Sequence, residues 1–314
     1  MSKSTTPRPW PGRGRWFSAP YAGLLGARSC QIYVPKGLRR TTWAPLVLAL
    51  HGCAQTAREF AVSTRWCELA DRHQFVVAFP EQSLAVNGQR CWNWHQATNP
   101  HTGEPGILTS IVRRAIADRR RWRIDPRRVY AVGLSAGGAM ATTLGVAHPE
   151  LFTAIGVHSG PPYRSATSLG QVISAMQGRR LPPAPNPLSR CPLPPTIVIQ
   201  GTRDATIWPV NAQRIASHWL AYYAQAQGPD GAPLPVLRER ITHRKAAVPA
   251  TSGSQRAATV QRWSVGTQPM LEVWLVEGLG HAWSGGAPKV AYSDRRGPRA
   301  STQMWRFFAT HRKK

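Results

Sequence analysis

What this chain has least of is acid. Fourteen Asp and Glu stand against 40 Lys and Arg in 314 residues, a formal charge of +26, so most of the basic side chains have no acidic counterpart to pair with. Such an imbalance suits contact with anions (nucleic acid, acidic polymer, a membrane surface) or else a solvated cationic shell. No nucleic-acid-binding motif accompanies the arginine clusters at Arg113-Arg114, Arg119–Arg123, Arg127-Arg128 and Arg238–Lys245. The solvated shell is therefore the reading taken, and no nucleic acid is expected as a partner. Cysteine is scarce as well. Cys30, Cys53, Cys67, Cys91 and Cys191 are odd in number and form neither a C-x-x-C pair nor a zinc-like spacing with histidine, which excludes a disulfide scaffold and a structural zinc site. No stretch approaches the roughly 20 apolar residues of a membrane span. The N-terminus is basic but has no apolar core, so no secretory signal is recognisable in it. Residues 1–27 read as a flexible basic arm and residues 312–314 as a basic tail.

What is present is enough apolar material for a large core: 42% hydrophobic residues, including 13 Trp. Short continuous apolar runs bounded by turn residues read as buried strands at Cys30–Pro35, Ala44–Leu50, Phe75–Phe79, Val129–Val132, Phe152–Val157 and Thr196–Gln200. A strand pair follows at Ala258–Val265 and Leu271–Val276. Helical periodicity covers Glu59–His73, Ile107–Trp122, Asn211–Ala224 and Ser301–His311, with a shorter helix within Ser165–Met176. Strand and helix alternating at this spacing predict an α/β domain, its mostly parallel sheet covered by helices on both faces. That domain spans residues 28–311. The proline-rich Leu181–Pro195 reads as a connector, and residues 225–254, polar and without periodicity, as a variable insertion.

The chemistry centres on Val129–Met140, VYAVGLSAGGAM. A strand ends here in Gly133-Leu134-Ser135-Ala136-Gly137, and small residues continue into a helix. Strand, G-x-S-x-G and helix together make a nucleophile elbow, in which the serine Oγ is held out at a helix N-terminus that favours a developing anion. Another buried strand runs into His51-Gly52-Cys53, where the Cys53 N–H can join that of Ala136 as an oxyanion donor. His51 reads as a residue that orients this loop rather than as the base. Asp204 follows the strand Thr196–Gln200, and His281 lies in the Gly-rich loop Gly278–Gly286 after the last strand of the pair. In a parallel sheet these strand ends share one edge, so Ser135, Asp204 and His281 can converge. Their chain order is that of the α/β-hydrolase arrangement. Among the other histidines only His95 and His158 sit in loops able to reach the same edge. Trp92 and Trp94, flanking Asn93, either line a substrate cleft or pack their own loop down, and Trp283 beside His281 is a third cleft candidate.

Taken together, HGCAQ at His51–Gln55, PEQS at Pro80–Ser83, RCWNW at Arg90–Trp94, GLSAGGAM at Gly133–Met140 and GHAWSGG at Gly280–Gly286 resemble the poly(3-hydroxybutyrate) depolymerase-type esterases. That group is related to the feruloyl and acetylxylan esterases of carbohydrate esterase family 1. The resemblance covers about Arg28 to Phe308. It implies an α/β-hydrolase fold and a carboxylic-ester hydrolase that needs no cofactor or metal, with the triad Ser135, Asp204, His281 and the Cys53 and Ala136 amides as oxyanion hole. It also implies an ester substrate (a polyester oligomer, a small ester or an acylated sugar) and makes a Cys53–Cys91 bridge plausible. The family is often exported, although this N-terminus carries no recognisable signal. The chain departs from the pattern at Gln200, where the family usually has histidine. Feruloyl or acetylxylan esterase activity is the alternative within the class. A basic binding protein on a hydrolase scaffold, docking to an anionic polymer or nucleic acid, is the alternative outside it.

Overall fold

The computed structural model describes residues 10–96, 102–180, 191–225, 241–250 and 255–313. The first half of the chain supplies β1 (Arg15–Ser18), β2 (Tyr21–Gly23), β3 (Gly26–Val34), β4 (Trp43–Leu50), α1 (Ala57–Thr64), α2 (Trp66–His73), β5 (Val76–Glu81) and α3 (Gly103–Ala117). The centre supplies β6 (Arg123–Leu134), α4 (Ala136–Ala147), β7 (Ala154–His158), α5 (Val172–Met176), β8 (Thr196–Gly201) and α6 (Val210–Gln225). The last part supplies β9 (Ile241–Val248), β10 (Ala258–Val265), β11 (Gln268–Val276), β12 (Trp283–Ser284), β13 (Ser293–Asp294) and α7 (Ala300–Ala309).

One sheet dominates, in the order β1-β3-β5-β4-β6-β7-β8-β11-β10-β9, with β2 paired to β3. The neighbours from β5 through β11 are parallel, and the outer strands on both flanks are antiparallel. Side chains alternate between two apolar layers, as strand geometry requires. In β4 and β6, Leu46, Leu48, Leu50, Val129 and Ala131 join the layer that holds residues of α3, α4 and α6. Val47, Ala49, Tyr130, Val132 and Leu134 join the layer that holds residues of α1, α2 and α7. Both faces are thus covered, as expected.

The expected boundaries need several corrections. The supposed flexible arm is, from Trp10 onward, part of the fold. β1 pairs with β3, and Asp71 of α2 accepts from the Arg13 N–H at 2.9 Å and the Tyr33 hydroxyl at 2.6 Å. Edge strands carry little apolar periodicity, which is why this segment reads as an arm. The helix expected over Glu59–His73 is two helices, broken at Arg65 (φ 60°). The carbonyls that would continue α1 are taken elsewhere: Ser63 O accepts from the Ala287 N–H and Thr64 O from the Ser301 hydroxyl. α3 ends at Ala117, before the Asp118–Trp122 turn. Within Ser165–Met176 only Val172–Met176 is α-helical, after a single 3-10 turn. Of the expected insertion, Ile241–Val248 is the edge strand β9; residues 226–240 and 251–254, like 181–190 of the proline-rich connector, lie outside the described residues. The basic tail is anchored by Arg312 to Asp125 at 3.0 Å and by the Lys313 Nζ to Pro149 O at 2.7 Å.

Candidate active site

β6 leads into Ser135, the N-cap of α4, at φ 57° and ψ −120°. A non-glycine residue holds such a conformation only where its surroundings enforce it. Backbone packing on both sides does so here. A Cβ at position 133 would fall 2.1 Å from the Gly137 backbone, and one at position 137 would fall 2.2 Å from the Leu50 carbonyl oxygen. Glycine at both sites lets α4 start directly against the ends of β4 and β6. The Ser135 N–H donates to His158 O at 2.9 Å, fixing the elbow to β7 as well.

The loop after β4 is fastened from three directions. The Gly52 N–H donates to Gln55 Oε1 at 2.9 Å, and Cys53 is disulfide-bonded to Cys91. The Gln82 N–H donates to His51 Nε2 at 3.0 Å, so the other ring nitrogen, Nδ1, carries the proton it gives to Gly52 O at 2.8 Å. Burial pushes His51 down to about 4. It is a neutral ring tying two loops together, the structural role read from sequence. A Cβ at position 52 would lie 3.6 Å from Ser135 Cβ, so the Gly52-Cys53 backbone passes beside the serine. Ala136 supplies the first N–H of α4. The Gln55 side chain is buried, and its Nε2 has no partner among the described residues.

Asp204 and His281 come together from the loops after β8 and β11. His281 Nδ1 lies 2.9 Å from Asp204 Oδ2, which also accepts from Gln200 Nε2 at 3.1 Å. The other oxygen accepts the Thr206 and Ile207 N–H groups at 3.0 and 2.9 Å. Burial alone would raise this carboxyl. The bond and charge of His281, the Ile207 N–H and the Ser159 hydroxyl outweigh it and hold Asp204 below the ordinary carboxylate range. Gln200, the position at which the resemblance leads one to expect histidine, thus reaches Asp204 directly.

Ser135, His281, Gly52, Cys53 and Ala136 line one cleft of about 510 Å³, and Leu169, Val172, Met176 and Ile207 form an apolar wall. Among the described residues no hydrogen bond joins Ser135 to His281 in this conformation. Such contacts are often long before substrate binds. His158, one of the two competitors, is buried with its Nε2 accepting from the Ser284 N–H at 3.0 Å, and burial pushes it down to about 3. It is a brace for the His281 loop. His95 is buried in the wall of the cleft.

The three tryptophans divide. Trp92 and Trp94 line the cleft, yet they are 1% and 8% exposed, and the Trp92 indole donates to His51 O at 3.0 Å. These two rings thus pack their own loop down and also form part of the cleft wall. Trp283 is a correction. Its ring lies in the layer with α1 and α7, edge-on to Phe60 at 5.5 Å and stacked on His158 at 4.9 Å, with its N–H on Ser301 Oγ. It supports His158 and does not line the cleft. Sequence reading missed Glu104, whose carboxylate is an ion-paired hub. It binds Arg28 at 3.1 Å, the Asn93 N–H at 2.7 Å, Asn93 Nδ2 and Gln82 Nε2, and so holds the Trp92–Trp94 loop. Only its place near a helix start distinguishes it in sequence.

Sheet order, elbow and strand-end residues define an α/β-hydrolase fold. The acetyl xylan esterase from Aspergillus awamori superposes on 95% of this chain and 100% of its own, with a TM-score of 0.69 at 18% identity. Residues 28–231 match the family model Esterase PHB depolymerase, and the chain belongs to that family. Over 207 residues it is 33% identical to poly(3-hydroxyalkanoate) depolymerase C of Paucimonas lemoignei, which covers 63% of this chain and 49% of that protein. Over 207 residues it is 27% identical to the probable acetylxylan esterase A of Aspergillus fumigatus, 61% of this chain and 54% of that protein. The chain thus spans about half the length of these curated relatives. Among the described residues no helix is long and apolar enough to cross a membrane.

Proposed function

We propose that this protein is a serine-dependent carboxylic-ester hydrolase that works through an acyl-enzyme. Ser135 is the nucleophile, His281 its base, Asp204 the group that orients and charges the base, and the Cys53 and Ala136 amides the oxyanion donors. The observation that carries this is the His281 Nδ1–Asp204 Oδ2 bond at 2.9 Å, on a cleft whose other side is Ser135 at a strained elbow. With Nδ1–H given to Asp204, Nε2 is the nitrogen left to take the serine proton and return it to the leaving alcohol. The tetrahedral oxygen then falls among backbone N–H groups at the start of α4, where the helix end adds its dipole.

The substrate is read from the walls. Leu169, Val172, Met176 and Ile207 offer an aliphatic surface beside Ser135, which suits short hydroxyalkanoate units better than an acetyl group on a sugar. The relatives named above divide between polyester and acetylated xylan, so a panel decides. p-Nitrophenyl acetate and butyrate, a 3-hydroxybutyrate oligomer, methyl ferulate and acetylated xylan are run against wild type and Ser135→Ala. Turnover by wild type, lost by at least ~10⁴-fold in a folded Ser135→Ala, is the expected result. Full activity in the variant, or no turnover of any ester by folded wild type, overturns the reading. Preference for acetylated xylan or ferulate over the oligomer overturns the polyester assignment alone.

A further inference from the structure

The cleft lies where the parallel strands end, and the chemistry above leaves the opposite end of the sheet unused. There Trp43 opens β4 beside Arg123, with which it pairs at the start of β6. The Trp43 ring is 42% exposed. The Arg119 and Arg123 guanidinium groups lie over it, 5.6 and 5.8 Å from its centroid. Arg128 donates to the Trp43 carbonyl at 2.8 Å, and Arg312 brings the C-terminal tail to the same place through Asp125. The acids of this pole are already taken. Buried Asp125 is shared by Arg127, Arg128 and Arg312, and Asp118 pairs with Arg121 at 3.5 Å. At the margin Glu150 pairs with Arg113, while Asp71 accepts from the Tyr33 hydroxyl and two backbone N–H groups. That leaves Arg39, Arg40, Arg119, Arg120 and Arg123, all exposed, in ion pairs with none of the described carboxylates.

We propose that this pole is a docking face for an anionic phospholipid bilayer. Charge complementarity selects an anion: unpaired guanidinium groups bind phosphate through parallel N–H···O bonds, and a cluster of them is drawn to the negative potential of such a surface. Trp43 selects the bilayer among anions. An exposed indole set among arginines matches the headgroup level, where amphipathic rings rest and cations meet phosphate. A nucleic acid would use such a ring by stacking a base on its face, and here guanidinium groups already lie over it. An acidic polysaccharide offers carboxylates but no apolar layer for the indole. The eight residues of β4, roughly 25 Å of strand, separate this pole from the Gly52 loop of the cleft. A chain seated here keeps its cleft open to solution. The inference goes beyond the ester-hydrolase reading and does not depend on it.

The test is co-sedimentation of the full-length chain with vesicles of phosphatidylcholine alone and of phosphatidylcholine mixed equally with phosphatidylglycerol. Partitioning is expected onto the anionic vesicles only, and it weakens as salt is raised. Arg119→Gln/Arg120→Gln/Arg123→Gln is expected to weaken it about 100-fold, roughly fivefold for each arginine removed. Trp43→Ser, which leaves the charge unchanged, is expected to weaken it about fivefold. Arg203→Gln/Lys289→Gln/Arg295→Gln removes the same charge from exposed loops at the cleft end. These lie farther from the docking face than the Debye length of about 10 Å, so binding is expected to stay within about twofold. Equal losses in the two triple variants would mean that net charge alone is read, and would overturn the assignment of this face. Partitioning onto both kinds of vesicle alike, or onto neither, overturns the proposal in the parent protein with no variant needed. Single-stranded DNA and polygalacturonate stand for the other occupants, and tighter binding of either one than of the anionic vesicles, per anionic group, overturns the lipid assignment.

Discussion

The two sides of the cleft are built by different means. On one side, Ser135 is held by backbone against backbone: glycines that admit no Cβ, a helix start pressed on the ends of β4 and β6, and a loop fastened by a disulfide. On the side of Asp204 and His281 the fastening is polar. Asp204 takes the His281 ring, two backbone N–H groups and the Gln200 amide, while Ser284 N–H rests on His158. Steric positioning is insensitive to charge and intolerant of volume; polar positioning is the reverse. Substitutions on the two sides therefore differ in what they damage.

The largest effect belongs to the polar side. Asp204→Asn is nearly isosteric, so it leaves the volume of the site unchanged, but its amide cannot fix the tautomer that presents a bare Nε2 to the serine. Turnover is expected to fall roughly 10³- to 10⁴-fold with the protein still folded, read from kcat on a p-nitrophenyl ester beside a circular-dichroism melt. An Asn variant within tenfold of wild type would mean that some other group orients the base. On the steric side Gly137→Ala is expected to act through the fold. Ala is the better helix former by about 1 kcal/mol, yet its Cβ would meet the Leu50 and His51 carbonyl oxygens at 2.2 and 2.6 Å. Backbone cannot give way as a side chain can, and a net loss of about 2–3 kcal/mol is expected from the denaturant midpoint. An Ala variant as stable as wild type would show that α4 can slide away from β4.

This contrast also explains what could be read from sequence. The elbow is a local steric rule, so Gly133, Ser135 and Gly137 announce it within five residues. Asp204 and His281 could be placed because each follows a buried apolar run, and parallel strands bring such ends to one edge. Contacts made across the fold leave no comparable mark. Trp283 is two residues from His281, and nothing in the chain says that its ring turns into the layer under α1 and α7. Glu104 looks like any helix-start acid until Arg28, Gln82 and Asn93 are seen around it. β1, β2 and β9 were unreadable for a related reason. Edge strands are held by backbone ladders and a few long-range anchors such as the Arg13 N–H on Asp71 just before β1, and polar sequence serves there as well as apolar.

The smallest effect tests a feature that the two sides have in common. Each rests on a buried imidazole that braces backbone: His51 accepts from the Gln82 N–H and His158 from the Ser284 N–H. Burial pushes them down to about 4 and about 3. In the unfolded chain each takes up a proton near pH 6.5, so between about 6.5 and 4 the unfolded state holds more protons than the folded one. Their contribution to stability is therefore complete above pH 6.5 and is lost as pH falls, by about 1.4 kcal/mol per pH unit for each histidine. Unfolding free energy measured from pH 7 to 5 gives the slope. His51→Gln keeps an acceptor for the Gln82 N–H but cannot take up the proton, and it is expected to flatten that slope by one proton's worth while lowering stability at neutral pH. His158→Gln should do the same under the other side. If either substitution left the slope untouched, that imidazole would be free to protonate in the folded state, and the brace on its side of the cleft would have to be something other than a neutral ring.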